Sequence, residues 1–268
     1  MIWSNMEYVT LRIIRRFLFS GQMLDKLGGW MPYWRVNQGL LDPEPIVTTW
    51  QRLAREAGPE CPDLRGKRVA ELGCGAASGT GYEWTARLGG RWTGVEPFAR
   101  FDADLDERVF QQVSRRYPGA SRLAVSRVAS LDALDSGSVE VIVSNSVLEH
   151  VRDPLDAFRQ CWRVLAPGGV MLHQVDYRDH FFKYPFQFLT FSKTIWDNLL
   201  DPGDLPRHRL DDHLDDLARA GFQARVLERQ TDPRALAAVA PFLDPAFARR
   251  DRDMLATTTA AIFCRKAP

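Results

Sequence analysis

The sequence predicts an α/β fold, a doubly wound and mostly parallel sheet with helices on both faces. Three observations predict it. Short apolar segments alternate with amphipathic helical ones from Lys67 to Leu165. The first apolar segment ends in an acidic residue and a glycine-rich turn, Glu71-Leu72-Gly73-Cys74-Gly75. A second apolar segment closes on Glu96 about 25 residues later, the spacing of a βαβ unit that offers a carboxylate to a ribose.

In chain order, Ile13, Ile14, Phe17 and Leu18 fall on one helical face beside Arg12, Arg15 and Arg16. This reads as an N-terminal helix packed on the main domain or covering its active site. The alternative is a basic amphipathic helix lying on a membrane surface. Residues 1–62 are therefore taken as a helical cap segment and 63–268 as the main domain. Asp42-Pro43-Glu44-Pro45 interrupts the cap, a helix follows over 48–57, and Gly58 through Pro62 closes it.

Apolar runs then predict strands over 68–72, 92–95, 123–128, 139–144 and 170–175, with helices over 80–88, 105–116 and 155–165. Right-handed crossovers would bring the carboxyl ends of the first, second and fourth strands to one crevice. An aromatic-rich insertion, 177–210, holds Phe181, Phe182, Tyr184, Phe186, Phe188, Phe191 and Trp196. It reads as a wall or lid over a substrate, or as a hydrophobic core of its own. A helix over 211–220 and strands over 224–228 and 255–264, the last two antiparallel, bring the sheet to seven strands.

Length and composition narrow the function. A chain of 268 residues with 45% apolar content can bury one large α/β core. A net charge of +1 and a pI near 7.7 argue against a nucleic-acid partner. Cys61, Cys74, Cys161 and Cys264 form no CxxC pair, so neither a zinc site nor a disulfide framework is expected. No apolar run reaches membrane-spanning length, which leaves a cytoplasmic location as the expectation. A homodimer is compatible with all of this.

The motifs resemble those of class I S-adenosylmethionine-dependent methyltransferases. The match runs from Arg68 to Val175 and more loosely to Cys264. It rests on Glu71-Leu72-Gly73-Cys74-Gly75, on Glu96, on Ser144-Asn145-Ser146-Val147-Leu148-Glu149-His150-Val151, and on Leu165-Ala166-Pro167-Gly168-Gly169. The resemblance implies a Rossmann-like sheet and S-adenosyl-L-methionine as cofactor. Gly73 and Gly75 would leave room for its methionine and ribose parts, and Glu71 would help fix the methionine amino group. Glu96 would accept both ribose hydroxyls, and Asn145 would stand near the ammonium and the incoming nucleophile. The family often places an Asp after the third strand for the adenine amino group. Here Ser130 or Asp132 stands in for it.

Methyl transfer from a sulfonium needs alignment and, for some acceptors, removal of a proton. His150 is the first candidate base, because imidazole titrates near neutrality. The run Asp176-Tyr177-Arg178-Asp179-His180 resembles one in methyltransferases of polysaccharide and sugar-containing natural-product pathways. Asp176, Asp179 and His180 would form a base with its orienting carboxylate, or hold a divalent metal. A surface network capping the next helix is the plainer alternative, and no metal site is assigned. Glu149 reads equally as a site residue or as a surface or cap residue, Cys74 as a small buried filler, and Arg207-His208-Arg209 as an anion contact or a solvated loop.

The expected activity is methyl transfer to a small-molecule acceptor, a hydroxyl of a sugar or natural product. N-methylation of an amine, or a catalytically silent cofactor-binding partner, are the alternatives. A dehydrogenase fits less well: the turn reads Gly73-x-Gly75-x-x-x-Gly79, and no YxxxK pair occurs.

Overall fold

The structure is a computed structural model that describes residues 2–17, 42–180, 184–201 and 205–266. Leu18, Phe181 and Phe182 lie outside these residues, as do the side chains of Arg15 and Arg16.

Helix α1 (Ile2–Phe17) opens the chain and α2 (Glu44–Ala57) follows. Pro45 sits in the first turn of α2, where the missing N–H has no helical partner to lose. Strand β1 (Arg68–Leu72), α3 (Gly79–Leu88), β2 (Arg91–Val95), α4 (Ala103–Arg116) and β3 (Val125–Val128) form one half of the winding. Asp102 starts α4 by accepting from the Leu105 amide, and Asp104 and Asp106 favour the positive end of its dipole. The other half comprises β4 (Val139–Asn145), α5 (Pro154–Val164) and β5 (Leu165–Asp176). Helix α6 (Leu210–Arg219), β6 (Phe222–Thr231), α7 (Pro233–Val239) and β7 (Thr257–Lys266) complete it.

The seven strands lie in the order β3-β2-β1-β4-β5-β7-β6. The first five pair in parallel, and β7 runs antiparallel to both β5 and β6. The expected antiparallel pair is thus present, but as no tight hairpin. Between its strands the chain forms α7 and short helical turns at Pro245–Ala248 and Arg252–Leu255. Strand order reverses between β1 and β4, so the crevice outside their carboxyl ends is the natural ligand site.

Each sheet face has its own core. On one, Phe158, Cys161 and Val164 of α5 and Leu210 and Leu217 of α6 cover Ala70, Ile142 and Met171. On the other, Val47, Trp50 and Leu53 of α2 and Trp84 of α3 cover Val69, Val141 and Leu172. Trp50, Trp84 and Trp92 pack together with ring centroids 5.3–6.3 Å apart. Helix α2 is therefore a flank of the sheet, not part of a separate cap ending at residue 62. Its apolar stripe needed a partner, and the strand face supplied one.

A third cluster joins Tyr8 of α1 to Phe186, Phe188, Leu189 and Trp196 of the insertion and to Leu236 and Val239 of α7. The described aromatic side chains of the insertion are thus mainly its own core, the second of the two expected roles. Arg207 and Arg209 serve that packing. Arg207 donates to the carbonyls of Phe188 and Phe191, and fully buried Arg209 to those of Tyr177, Leu255 and Thr257. Burial pulls the Arg209 guanidinium down to about 10. Arg209→Met leaves three buried carbonyls without their donor. It should lower unfolding free energy by at least about 2 kcal/mol in urea denaturation.

Candidate active site

The crevice begins at the turn after β1. Gly73 and Gly75 both hold left-handed φ angles, 68° and 67°, which only glycine adopts without strain. Their surroundings differ. A Cβ on Gly73 would stand 2.4 Å from Cγ2 of Val147, so its bareness accommodates the loop after β4. A Cβ on Gly75 would meet nothing within 4 Å, so here the backbone faces open space.

Glu96 reaches across from the end of β2. One carboxylate oxygen accepts from the Gly75 amide at 2.8 Å, the other from the amides of Phe98 and Ala99 at 2.9 Å. Three of about four acceptor directions are used, leaving capacity for a further hydroxyl. Arg127 of β3 donates to the Gly75 carbonyl at 2.5 Å, a contact with no sequence signal, and fixes the same turn from behind. Glu71 lies beneath, 4% exposed, accepting from the Thr80 hydroxyl. Burial pushes its carboxyl up to about 7, against the opposing pull of Thr80 and Arg127. Burial likewise pushes the Cys74 thiol up to about 12, away from the thiolate form that a nucleophile uses.

Ser130 is exposed after β3. Its hydroxyl donates to the Asp132 carboxylate at 2.9 Å and accepts from the Asp132 amide at 3.1 Å. Both side chains offered for the adenine are thus engaged with each other in a short turn.

Beyond β4 the chain reverses at Ser146, whose φ of 54° is rare outside glycine. The turn is held by the Ser146 amide donating to the Gln174 carbonyl at 2.9 Å. It leads to the short helical turn Leu148–His150. There His150 meets His180, which follows β5, with Nε2 atoms 3.3 Å apart and ring centroids 4.9 Å apart. Glu149 joins them and is neither surface nor cap. It is 2% exposed, one oxygen accepts from the Asp176 amide at 3.4 Å, and the other has no hydrogen-bond partner. Burial pushes its carboxyl up to about 8.

The relay expected of Asp176, Asp179 and His180 is not assembled. Asp176 accepts from Nε and Nη2 of Arg178, at 2.9 and 2.6 Å. Fully buried Asp179 pairs with Tyr8 and Arg12 of α1. A guanidinium two residues away outcompetes an imidazole for Asp176, because its planar fork satisfies both carboxylate oxygens at once. His173 and His213 stand apart, fully buried, bonded to Ser144 and Tyr177, and pulled by burial to about 3.

A cleft of about 700 Å³ opens between Asn145 and Ser146 of the β4 turn, Gln174, Asp176 and Arg178 of the β5 end, and Arg52 of α2. Arg52 there pairs with Glu228, so the cleft is rich in charge yet nearly balanced. Among the described residues no helix is long and apolar enough to cross a membrane.

A bare-backbone bend between two acidic strand tips, at the switch point of a doubly wound sheet, is the arrangement in which such sheets hold a nucleoside cofactor. Residues 70–173 match the family model described as a methyltransferase domain. The ubiquinone biosynthesis O-methyltransferase of Methylocella silvestris is 33% identical over 111 residues, which cover 40% of this chain and 39% of that protein. Human thiol S-methyltransferase TMT1B is 27% identical over 175 residues, 65% of this chain and 68% of that protein. The phosphoethanolamine N-methyltransferase 2 of Haemonchus contortus, solved with S-adenosyl-L-methionine, superposes with a TM-score of 0.54 at 16% identity. That superposition covers 96% of this chain and 59% of that one. The chain thus spans about two fifths of the ubiquinone-pathway relative it matches. Residues 70–173 thus form a methyltransferase domain of the class I S-adenosylmethionine-dependent kind.

The residues present fit the family's cofactor. The open face of Gly75 is a cradle that a Cβ would fill, and Glu96 retains acceptor capacity at its rim.

Two outcomes follow. Gly73→Ala should be less stable than Gly75→Ala by about 1 kcal/mol or more in denaturant melts, because only the former collides with Val147. Val147→Ala should bring the first close to the second, the left-handed strain at both positions remaining. The pH dependence has a definite sign as well. Glu71 and Glu149 ionise near 4.5 when unfolded, so the stability from their raised folded values is complete below that pH and is lost as pH rises toward 8. His173 and His213 act oppositely, but only below 6.5. The protein should therefore lose melting temperature from pH 6.5 to 8 when measured in a chelating buffer, and Glu149→Gln should flatten that decline.

Proposed function

We propose that this protein transfers a methyl group from S-adenosyl-L-methionine to a hydroxyl of a small, polar acceptor such as a sugar or hydroxylated natural product. The observation that carries the reading is the bend at Gly75, open to the crevice and bracketed by Glu71 and Glu96. In this reading Gly73 and Gly75 bound the site, and Glu96 takes a ribose hydroxyl in its remaining acceptor direction. Glu71 faces the methionine end through Thr80, and Asn145 lies where the acceptor enters. Ser130 is left with at most a backbone contribution to the adenine edge, since its hydroxyl is committed to Asp132.

When bound, the sulfonium supplies an activated methyl carbon. The chain's task is then to orient the acceptor oxygen, exclude water and receive a proton. His150, coupled to His180, is the proton acceptor, and Asp179 positions His180 through its anchorage on α1. Asp176, held by Arg178, acts on the acceptor side of the cleft, not on an imidazole. A polar, charge-balanced cleft suits a polyhydroxylated acceptor, whose hydroxyls both donate to carboxylates and accept from guanidinium groups. The relatives named as O-methyltransferases favour the same acceptor atom. Four cysteines without a disulfide fit a reducing, cytoplasmic setting.

Calorimetry with S-adenosylhomocysteine tests the cofactor assignment, and absence of affinity in folded protein overturns it. Glu96→Ala should weaken that binding by about 1.5–3 kcal/mol. His150→Ala and His180→Ala should retain it, while at least one slows turnover about 100-fold on an accepted substrate. Near-normal rates in both would move proton removal to the Asn145–Asp176 side.

A further inference from the structure

We propose that Glu149, His150 and His180 form a binding site for one divalent transition-metal ion of the Zn²⁺ type. Their ligand atoms all fall within 4.8 Å of one another. Three independent features argue for an ion over a simple side-chain contact. The two imidazoles present Nε2 atoms to each other at 3.3 Å. Two nitrogens sharing a tetrahedral ion at about 2.05 Å lie about 3.4 Å apart, so the rings need almost no rearrangement. An oxygen of Glu149 is buried without a hydrogen-bond partner, a costly state for a carboxyl unless something cationic faces it.

The third feature is the supporting shell. The other oxygen of Glu149 is tied to the Asp176 amide. His180 follows directly on Asp179, which Tyr8 and Arg12 clamp from α1. His150 sits at the end of a short helical turn whose start is fixed by the strained Ser146. Each of the three ligands is thus held by a different contact, as preorganised metal sites require.

The donor set selects the ion. Two imidazole nitrogens and one carboxylate oxygen suit Zn²⁺, Co²⁺ or Ni²⁺, whereas Mg²⁺ and Ca²⁺ favour oxygen-only shells. Three protein ligands also leave one tetrahedral position open, the pattern of a catalytic rather than a structural site. That position suits an acceptor hydroxyl, whose acidity a neighbouring cation raises, so that with the ion bound the proton leaves to solvent and His150 serves as a ligand in place of the base. The role in catalysis rests on the methyltransferase reading given above, but the binding of the ion does not.

The experiment is a titration of the metal-stripped full chain with Co²⁺, read by visible absorption, and with Zn²⁺, read by calorimetry. One equivalent of Co²⁺ should give the d–d bands of a tetrahedral or five-coordinate N/O site. Zn²⁺ should bind 1:1 and displace it. His150→Ala and His180→Ala should each weaken Zn²⁺ at least 100-fold, and Glu149→Gln at least 10-fold. Retained S-adenosylhomocysteine affinity shows that the variants are folded. Weak, multi-equivalent binding that is unchanged in all three variants overturns the site. Metal binding without any affinity for S-adenosylhomocysteine would instead overturn the methyltransferase reading and leave the metal site standing.

Discussion

The pairing of β4 with β5 is the constraint on which the active-site geometry depends. The parallel register runs from Val141 opposite Val170 to Asn145 opposite Gln174, and the Ser146 amide extends it by one more bond. At that last bond Ser146 holds a left-handed backbone, at a cost of about 1–3 kcal/mol. The strain is spent on direction. A chain leaving β4 in an extended conformation would run on past the sheet. Turned at Ser146, it places Val147 against Gly73 and brings His150 to His180. The cofactor bend and the imidazole pair are therefore set by the same few residues.

Ionisable groups are buried at this end of the sheet in numbers that folding alone does not favour. Asp179, Arg12, Glu71, Glu149 and Arg209 are all at most 4% exposed. Removing a charge from water costs several kcal/mol unless partners compensate. Most are compensated locally: Asp179 by Tyr8 and Arg12, Arg209 by three carbonyls, Glu71 by Thr80. Glu149 is compensated on only one oxygen, and it lies beside two histidines. Arg12 and Arg209 also keep buried nitrogens without a hydrogen-bond partner, so what sets Glu149 apart is its place beside two imidazoles.

Much of the fold was legible because its signals are local. The strand Arg68–Leu72 reads directly from a run of apolar residues between a charged residue and glycine, and its ends agree with the structure. The turn at Gly75 and the carboxylate of Glu96 were legible for the same reason, since spacing along a βαβ unit translates into proximity. What escaped depends on distant partners. Asp179 meets Arg12 across 167 residues, and nothing in the run Asp176–His180 announces that its second aspartate faces another helix. The side chain of Glu149 follows a strand and precedes a helix, as surface caps do. Its burial comes from the end of β5 packing over it. The arginines at 207 and 209 sit among polar neighbours in sequence, yet their partners are carbonyls presented by the folded insertion.

These contacts also explain why an N-terminal helix belongs to the site without lining it. Helix α1 buries Tyr8 in the aromatic cluster of the insertion and sends Arg12 to Asp179. The insertion is in turn tied to the sheet by Arg209, which bridges the end of β5 and the start of β7. The segment bearing His180 is thus pinned between β5 on one side and α1 on the other. An imidazole so placed loses little entropy on meeting a proton or an ion, since its freedom was already lost on folding. The cleft beside Asn145 has the opposite character. Its charged side chains are half-exposed and paired with one another. Pinned imidazoles on one flank and half-exposed ion pairs on the other are what this arrangement of strand ends permits.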